Sequence, residues 1–259
     1  MTYPSSSTSS RELKALHTPE AIRRRLRDGQ EPGYLRDLIY GGIDGTVTTF
    51  AVVAGVVGAE LAAGIVVVLG LANLFADGFS MAVSNYLGTR AEEQVRERAR
   101  RLEEKHIELV PEGEREEIRQ IFAAKGFEGA DLDRAVEVIT ADRRRWVDTM
   151  LQDELGMPLQ GPSAIKAACA TFGAFLVAGT IPLLPYLYPV VLGGHLAQPF
   201  LWSSAATGAA FFGIGALKSR VVDQRWYRSG TETLLVGGGA AALAYAVGVF
   251  LKGFAGVNG

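Results

Sequence analysis

Asp37-Leu38-Ile39-Tyr40-Gly41-Gly42-Ile43-Asp44-Gly45-Thr46 opens an apolar stretch that reaches about Gly58. An ionised carboxylate in hydrocarbon costs several kcal/mol or more unless it is paired, hydrated or bound to a cation. Asp37 and Asp44 are seven residues apart, and seven steps of ~100° bring a helix back to nearly the same face. The spacing predicts two acids on one side of one membrane helix, about 10 Å apart in depth. That pattern marks an ion pathway.

Working outward, charge is segregated. The chain of 259 residues is 48% hydrophobic with a net charge of −2. Residues 90–160 hold 18 of its 28 acidic and 13 of its 26 basic side chains, whereas 38–89 and 162–217 hold very few. Such blocks describe a polytopic membrane protein carrying one polar insertion rather than a soluble globule. The near-zero net charge argues against nucleic acid as a partner. The first residues are polar and Ser-rich, then basic, without an apolar core of the kind a cleavable signal has. A single cysteine, Cys169, excludes an intrachain disulfide and a Cys-cluster metal site. Its apolar surroundings predict a small buried packing residue.

Five apolar segments are long enough to span a bilayer, at about 38–58, 62–87, 163–187, 199–217 and 231–251. Pro182 and Pro185 predict a kink or break in the third. Arg23, Arg24, Arg25, Arg27 and Arg36 precede the first span, and Lys218, Arg220, Arg225 and Arg228 follow the fourth. Together with the Arg-rich insertion after the second, these regions fall on one side if there are five spans, and that side is cytosolic. Lys252 runs against this pattern. Small residues at i, i+4 spacing (Ala205, Ala209 and Gly213; Gly237 and Ala241; Ala240, Ala244 and Gly248) let helices approach closely, within one subunit or between two.

The resulting division is 1–36 as a cytosolic N-terminal segment, 37–88 as two spans, 89–161 as a cytosolic helical module and 162–259 as three further spans. Within the module the sequence predicts helices at 89–109, 114–124, 131–139 and 142–155, punctuated by Pro111, Gly126 and Gly156. The first of these continues the second span without a Gly or Pro to stop it.

Asn73, Asp77 and Met81 sit at i, i+4 and i+8 of the second span, on one stripe. Counted inward from the same side, Met81 lies about level with Asp44, with Asp77 deeper and Asn73 near the midplane. A carboxylate with a thioether suits a borderline ion such as Fe²⁺ better than Mg²⁺ or Ca²⁺. Gly41, Gly42 and Gly45 permit close backbone approach or a local opening of the helix. In the insertion, Glu103 with His106, Glu114 with Glu117, and Met150 with Glu154 form three pairs, each on one helix face, able to converge on metal if their helices pack together. His17 and His195 lie in terminal or loop regions and are read as bystanders.

Several of these motifs, in order, resemble the vacuolar iron transporter family. They are 37–57 with Ile43-Asp44-Gly45-Thr46-Val47-Thr48-Thr49-Phe50-Ala51; Phe79-Ser80-Met81 followed by Tyr86-Leu87; 146–156; and Pro182-Leu183-Leu184-Pro185-Tyr186. The resemblance covers about 36–253 and implies a homodimer of five-span subunits that exports Fe²⁺ (with Mn²⁺, Zn²⁺ or Co²⁺ as related cargo) from the cytosol, with protons as counter-ion. It places Asp37, Asp44 and Met81 in the pathway and Glu103, Glu114, Glu117, Met150 and Glu154 in the metal module. Asn73 stands where plant members carry a glutamate, and Asp77 where they carry a small residue. His106 replaces a glutamate, and Leu151 occupies a place where a second Met is common. Arg and Ala richness points to a bacterial-type member in the inner membrane, with a vacuolar membrane as the alternative.

No ATP-binding loop is present, so a gradient must drive the cycle. The rival reading is a membrane-anchored metal-buffering or sensing protein without transport. An enzyme lacks support: there is no HExxH helix, GxSxG elbow or paired ExxH helices.

Overall fold

Helices are the only regular secondary structure among the described residues (10–28, 33–222 and 224–254) of the computed structural model. The Ser-rich start at 1–9 lies outside them. Two short helices come first, α1 (Ser10–Leu16) and α2 (Pro19–Asp28), followed by α3 (Leu35–Gly58) and α4 (Ala63–Leu109). Next are α5 (Pro111–Ala124), α6 (Gly129–Thr140), α7 (Arg143–Thr149) and α8 (Ala164–Thr180). The chain ends with α9 (Leu184–Leu192), α10 (Pro199–Val222) and α11 (Trp226–Phe254). Contacts divide the chain into two units, one formed by Met1–Tyr86 and Ala164–Gly259, the other by Leu87–Ser163.

Five helices are long and apolar enough to cross a membrane: Leu35–Gly58, Ala63–Leu109, Ala164–Leu192, Pro199–Arg220 and Trp226–Lys252. The number matches the five segments expected, and most helices run beyond the expected segment at one end or both. The third span does not break at its prolines. A 3₁₀ turn, Ile181–Leu183, absorbs Pro182, and the helix resumes as α9 with Pro185 near its start, where a proline needs no helical N–H partner. Gly193 closes α9 in the left-handed conformation (φ 69°).

In the first unit α3 is the central helix, packed on α8, α10 and α11. The core gathers Phe50, Val53 and Val56 of α3 with Val66 and Leu74 of α4, Phe175 of α8, Leu183 and Tyr186. Here Gly41 and Gly45 declare their purpose. A Cβ at Gly41 would run into the Thr171 carbonyl oxygen, and one at Gly45 into that of Phe175. The glycines bring α3 against α8 backbone to backbone, the close approach expected of small residues in membrane helices. They do not open the helix, because α3 is continuous through Asp44. Gly45→Val is therefore expected to destabilise the chain by about 1–3 kcal/mol or more through overpacking, with a lowered melting temperature in detergent as the readout.

Cys169 corrects an expectation. It is exposed rather than buried. Ala167, Thr171, Phe175 and Ala178 define the inward face of α8, and two residues from Ala167 is about 200° around the helix. Of the small-residue stripes, that on α11 is used within the chain: Gly237 meets the Phe211 ring and Gly248 the Gly55 carbonyl. Ala205, Ala209 and Gly213 on α10 are exposed. Lys252, the dissenting cation, is paired with Glu60 at 2.5 Å, so its charge is locally matched where the α3–α4 turn meets the end of α11.

In the second unit Ile118, Val136, Trp146 and Met150 form one buried cluster, and Ala99, Val147 and Leu151 another. Arg100 bonds Asp148 at 2.6 Å and Lys125 bonds Asp153 at 2.6 Å. α5 begins at Pro111, three residues earlier than expected, because proline at the first helical position loses nothing. The expected helix 142–155 is interrupted. After α7, capped by the Asp142 carboxylate on the Arg145 N–H at 2.7 Å, the chain widens into a π-helical turn, Met150–Glu154.

Candidate metal centre

Asp37, Asp44, Asn73, Asp77 and Met81 all belong to the first unit, on α3 and α4. Asp44, Asn73, Asp77 and Met81 are partly buried. Met81 packs against the apolar core rather than facing outward. Asp44 lies close enough to Asp77 to feel its charge. Neither carboxylate has a Lys, Arg or His partner among the described residues. Acids within membrane-length helices without a protein cation are costly in the ionised form unless a proton or metal ion neutralises them. The Asn73 amide nitrogen is buried with no hydrogen-bond partner among the described residues. Its donors are thus uncommitted in the same stripe.

Asp37 has a different setting. The Asn85 side-chain amide donates to Asp37 Oδ1 at 2.8 Å and to Thr171 Oγ1 at 2.7 Å, holding α3, α4 and α8 together. Asn85 was missed in the sequence, although it continues the run 73, 77, 81 by one more step of four. Two hydroxyls near Asp44 back-bond within α3, Thr46 donating to the Gly42 carbonyl at 2.7 Å and Thr48 to that of Asp44 at 2.9 Å, while Thr49 Oγ1 is buried without a partner among the described residues.

The second unit gathers a separate set. Glu103 and His106 come from α4 and Glu114 from α5, and one ligand atom of each lies within 4.8 Å of the others. Glu103 and Glu114 are buried, each 3% exposed. His106 Nδ1 is 3.2 Å from Glu114 Oε1, while Glu114 Oε2 is buried without a partner among the described residues. Burial pushes the Glu114 carboxyl up to about 7, helped by the charges of Glu117 and Glu103 and opposed by His106. Glu103 is raised by burial and Glu117 against the pull of His106. Glu154 is raised by burial and by Glu103 and Glu117. Glu103, His106, Glu114, Glu117 and Glu154 thus sense one another. Two buried carboxyls, Glu103 and Glu114, with the half-buried His106 imidazole match the donor set of a divalent transition metal, while Glu117 and Glu154 are exposed.

Met150 is fully buried in the apolar cluster with Ile118, Val136 and Trp146. Ile118 lies one turn from Glu114 on α5, and Met150 belongs to the apolar packing around it rather than to the group of Glu103, His106 and Glu114. The π-turn separates the buried Met150 from the exposed Glu154 at its far end, consistent with the frequent occurrence of such turns at functional sites. His195 lies in the connection after α9 and His17 in the turn between α1 and α2, away from both groups in sequence.

A family model described as the VIT family matches residues 35–249. The chain is similar to the vacuolar iron transporter of Toxoplasma gondii, 32% identical over 257 residues, covering 95% of this chain and 85% of that protein. It is also similar to vacuolar iron transporter 1 of Arabidopsis thaliana, 32% identical over 212 residues (82% of this chain, 83% of that one). The vacuolar iron transporter of Plasmodium falciparum is 30% identical over 224 residues (84% and 82%).

Proposed function

The chain belongs to the VIT family, and from that premise we propose that it exports Fe²⁺ from the cytosol across a membrane in exchange for protons. The observation that carries this reading is the pair Asp44 and Asp77, two partly buried acids on membrane-length helices with no Lys, Arg or His partner among the described residues. Curated relatives about one-third identical over most of the chain are named for iron transport. Iron is therefore the leading cargo, with Mn²⁺, Zn²⁺ and Co²⁺ as chemically related ions.

In the proposed cycle, Glu103, His106, Glu114, Glu117 and Glu154 collect the ion in the cytosol, with Met150 close by. Asp37 attracts it toward the first span, and Asp44 with Met81 holds it in the membrane. Asp77 takes up protons when the ion leaves, because metal and proton compete for the same carboxylates. Asn73 supplies a neutral donor where plant relatives carry a glutamate, so the carboxylate at Asp77 carries the coupling. The arginines before the first span and after the fourth favour a cytosolic N-terminus and a cytosolic 89–161 module. The subunits pair as a homodimer, and the membrane is the bacterial inner membrane, with a vacuolar membrane as the alternative.

A second reading, metal buffering without transport, is favoured by the module cluster taken alone. Proton movement separates the two. In proteoliposomes holding a pH dye, added Fe²⁺ is expected to drive protons across the membrane at a rate that saturates with metal. A buffering protein would change the pH only by the few protons displaced at its own sites.

A further inference from the structure

The structure assigns an interaction surface to α2: a basic amphipathic helix that docks on anionic phospholipid headgroups at the face of the membrane from which the first span begins. Thr18 caps it, accepting from the Ala21 N–H at 3.3 Å, with Pro19 at the first helical position and Glu20 in the first turn. A well-specified helix start suits a helix that works as a helix, not as a chance turn of a tail.

Its faces are divided. Ile22 and Leu26 are four apart on one stripe, and Arg23 and Arg25 flank that stripe about 100° and 60° away. Leu26 is 75% exposed, and among the described residues α2 packs on the short helix α1. Arg23, Arg24 and Arg25 are exposed, and none is ion-paired to an acid among the described residues. Within α2 four arginines stand against Glu20 and Asp28.

The tether decides the partner. Residues 29–34 alone separate α2 from Leu35, where the first membrane helix begins. Even fully extended, that connection spans about 20–25 Å. The helix is therefore confined near the headgroup layer at high effective concentration. A basic helix with a short apolar stripe, held there, lies in the interface with its stripe toward the acyl boundary and its arginines among phosphates. This surface is independent of metal transport and stands whether or not the exchange described above occurs.

The single cysteine makes the test direct. In full-length chain carrying Cys169→Ser, an environment-sensitive fluorophore is placed at Leu26→Cys or, on the opposite face, at Arg24→Cys. Each protein is reconstituted in zwitterionic phosphatidylcholine vesicles and in vesicles containing 30% phosphatidylglycerol. The label at 26 is expected to be shielded from aqueous quencher in anionic vesicles only, and the label at 24 to stay accessible in both. Each Arg→Gln change among Arg23, Arg25 and Arg27 should lower the docked-to-free ratio about fivefold. On the protein with native arginines, 0.5 M salt should lower it as well. Equal accessibility at 26 in both vesicle types overturns the proposal. Shielding that is the same in both and resists salt also overturns it, since α2 would then be packed on the chain's own polar module.

Discussion

Replacing Asp44 with alanine is expected to abolish Fe²⁺-driven proton movement in proteoliposomes, on the order of 100-fold or more, as for loss of a charged metal ligand. In the proposed cycle Asp44 and Asp77 together form the negative site within the membrane, and one carboxylate alone holds a divalent ion far less well. Asp44→Asn keeps the shape and removes the charge, so it should fail equally. The two variants also test the cause. An acid without a cationic partner in a membrane helix disfavours the folded state, so Asp44→Asn should melt no lower than the parent chain while its transport is lost. A merely structural aspartate would show the reverse, lower melting with exchange retained. Met81→Ala should leave proton movement partly intact but shift preference away from thiophilic ions, because the thioether adds softness rather than charge.

The second large effect belongs to Glu114. Glu114→Gln is expected to weaken Co²⁺ or Fe²⁺ binding by the full-length chain about 10–100-fold, measured by titration in detergent. It should also flatten the pH dependence. With its carboxyl near pH 7, proton and metal compete through the neutral range, so affinity in the parent chain rises as pH goes from 5.5 to 7.5 and then levels. For stability the sign is opposite. The folded-state value lies above the ordinary glutamate value, so the folded chain holds the extra proton between about 4.5 and 7, and metal-free stability falls as pH rises through that window. Melts of the metal-free chain should therefore be higher at pH 5.5 than at pH 8, and metal should reverse the order. Glu114→Gln, which carries no proton to lose, should melt alike at both values apart from the contributions of Glu103 and Glu154, whose carboxyls are raised in the same direction.

Much of the fold could be read from the chain because the bilayer imposes it. Charge confined to 90–160 and five apolar runs leave few alternatives to five helices, and the helices found at Leu35–Gly58 through Trp226–Lys252 follow them. Their ends were less legible. A charged residue at a headgroup reads the same whether a helix stops there or continues, which is why α3 starts at Leu35 rather than 38 and α11 at Trp226 rather than 231. Pro182 and Pro185 signal a kink or a break without saying which; the outcome is a 3₁₀ turn that buries Leu183 in the core.

The site residues show a similar division. The stripe Asn73, Asp77, Met81 follows from helical spacing alone. Asn85, its next member, was passed over because an asparagine near a span's end is ordinary, and only the positions of Asp37 and Thr171 make it a bridge. The π-turn at Met150–Glu154, which starts at a residue buried among Ile118, Val136 and Trp146, has no sequence signal comparable to a proline or glycine. Burial of Cys169 was misjudged for a related reason: apolar neighbours in a membrane helix say nothing about which face meets protein. Gly41 and Gly45 had two readings, and backbone contact with α8 selected one.

The most direct measurement is iron accumulation by the unaltered chain. Sealed proteoliposomes with an Fe²⁺-quenched dye inside are given Fe²⁺ outside under reducing conditions, with and without a pH gradient acid inside. Quenching of the internal dye that quickens with the gradient and continues well beyond one metal per protein is the result expected of a proton-coupled transporter. Metal retained on the protein at a fixed stoichiometry, with the internal dye unaffected by either ion or gradient, would contradict it.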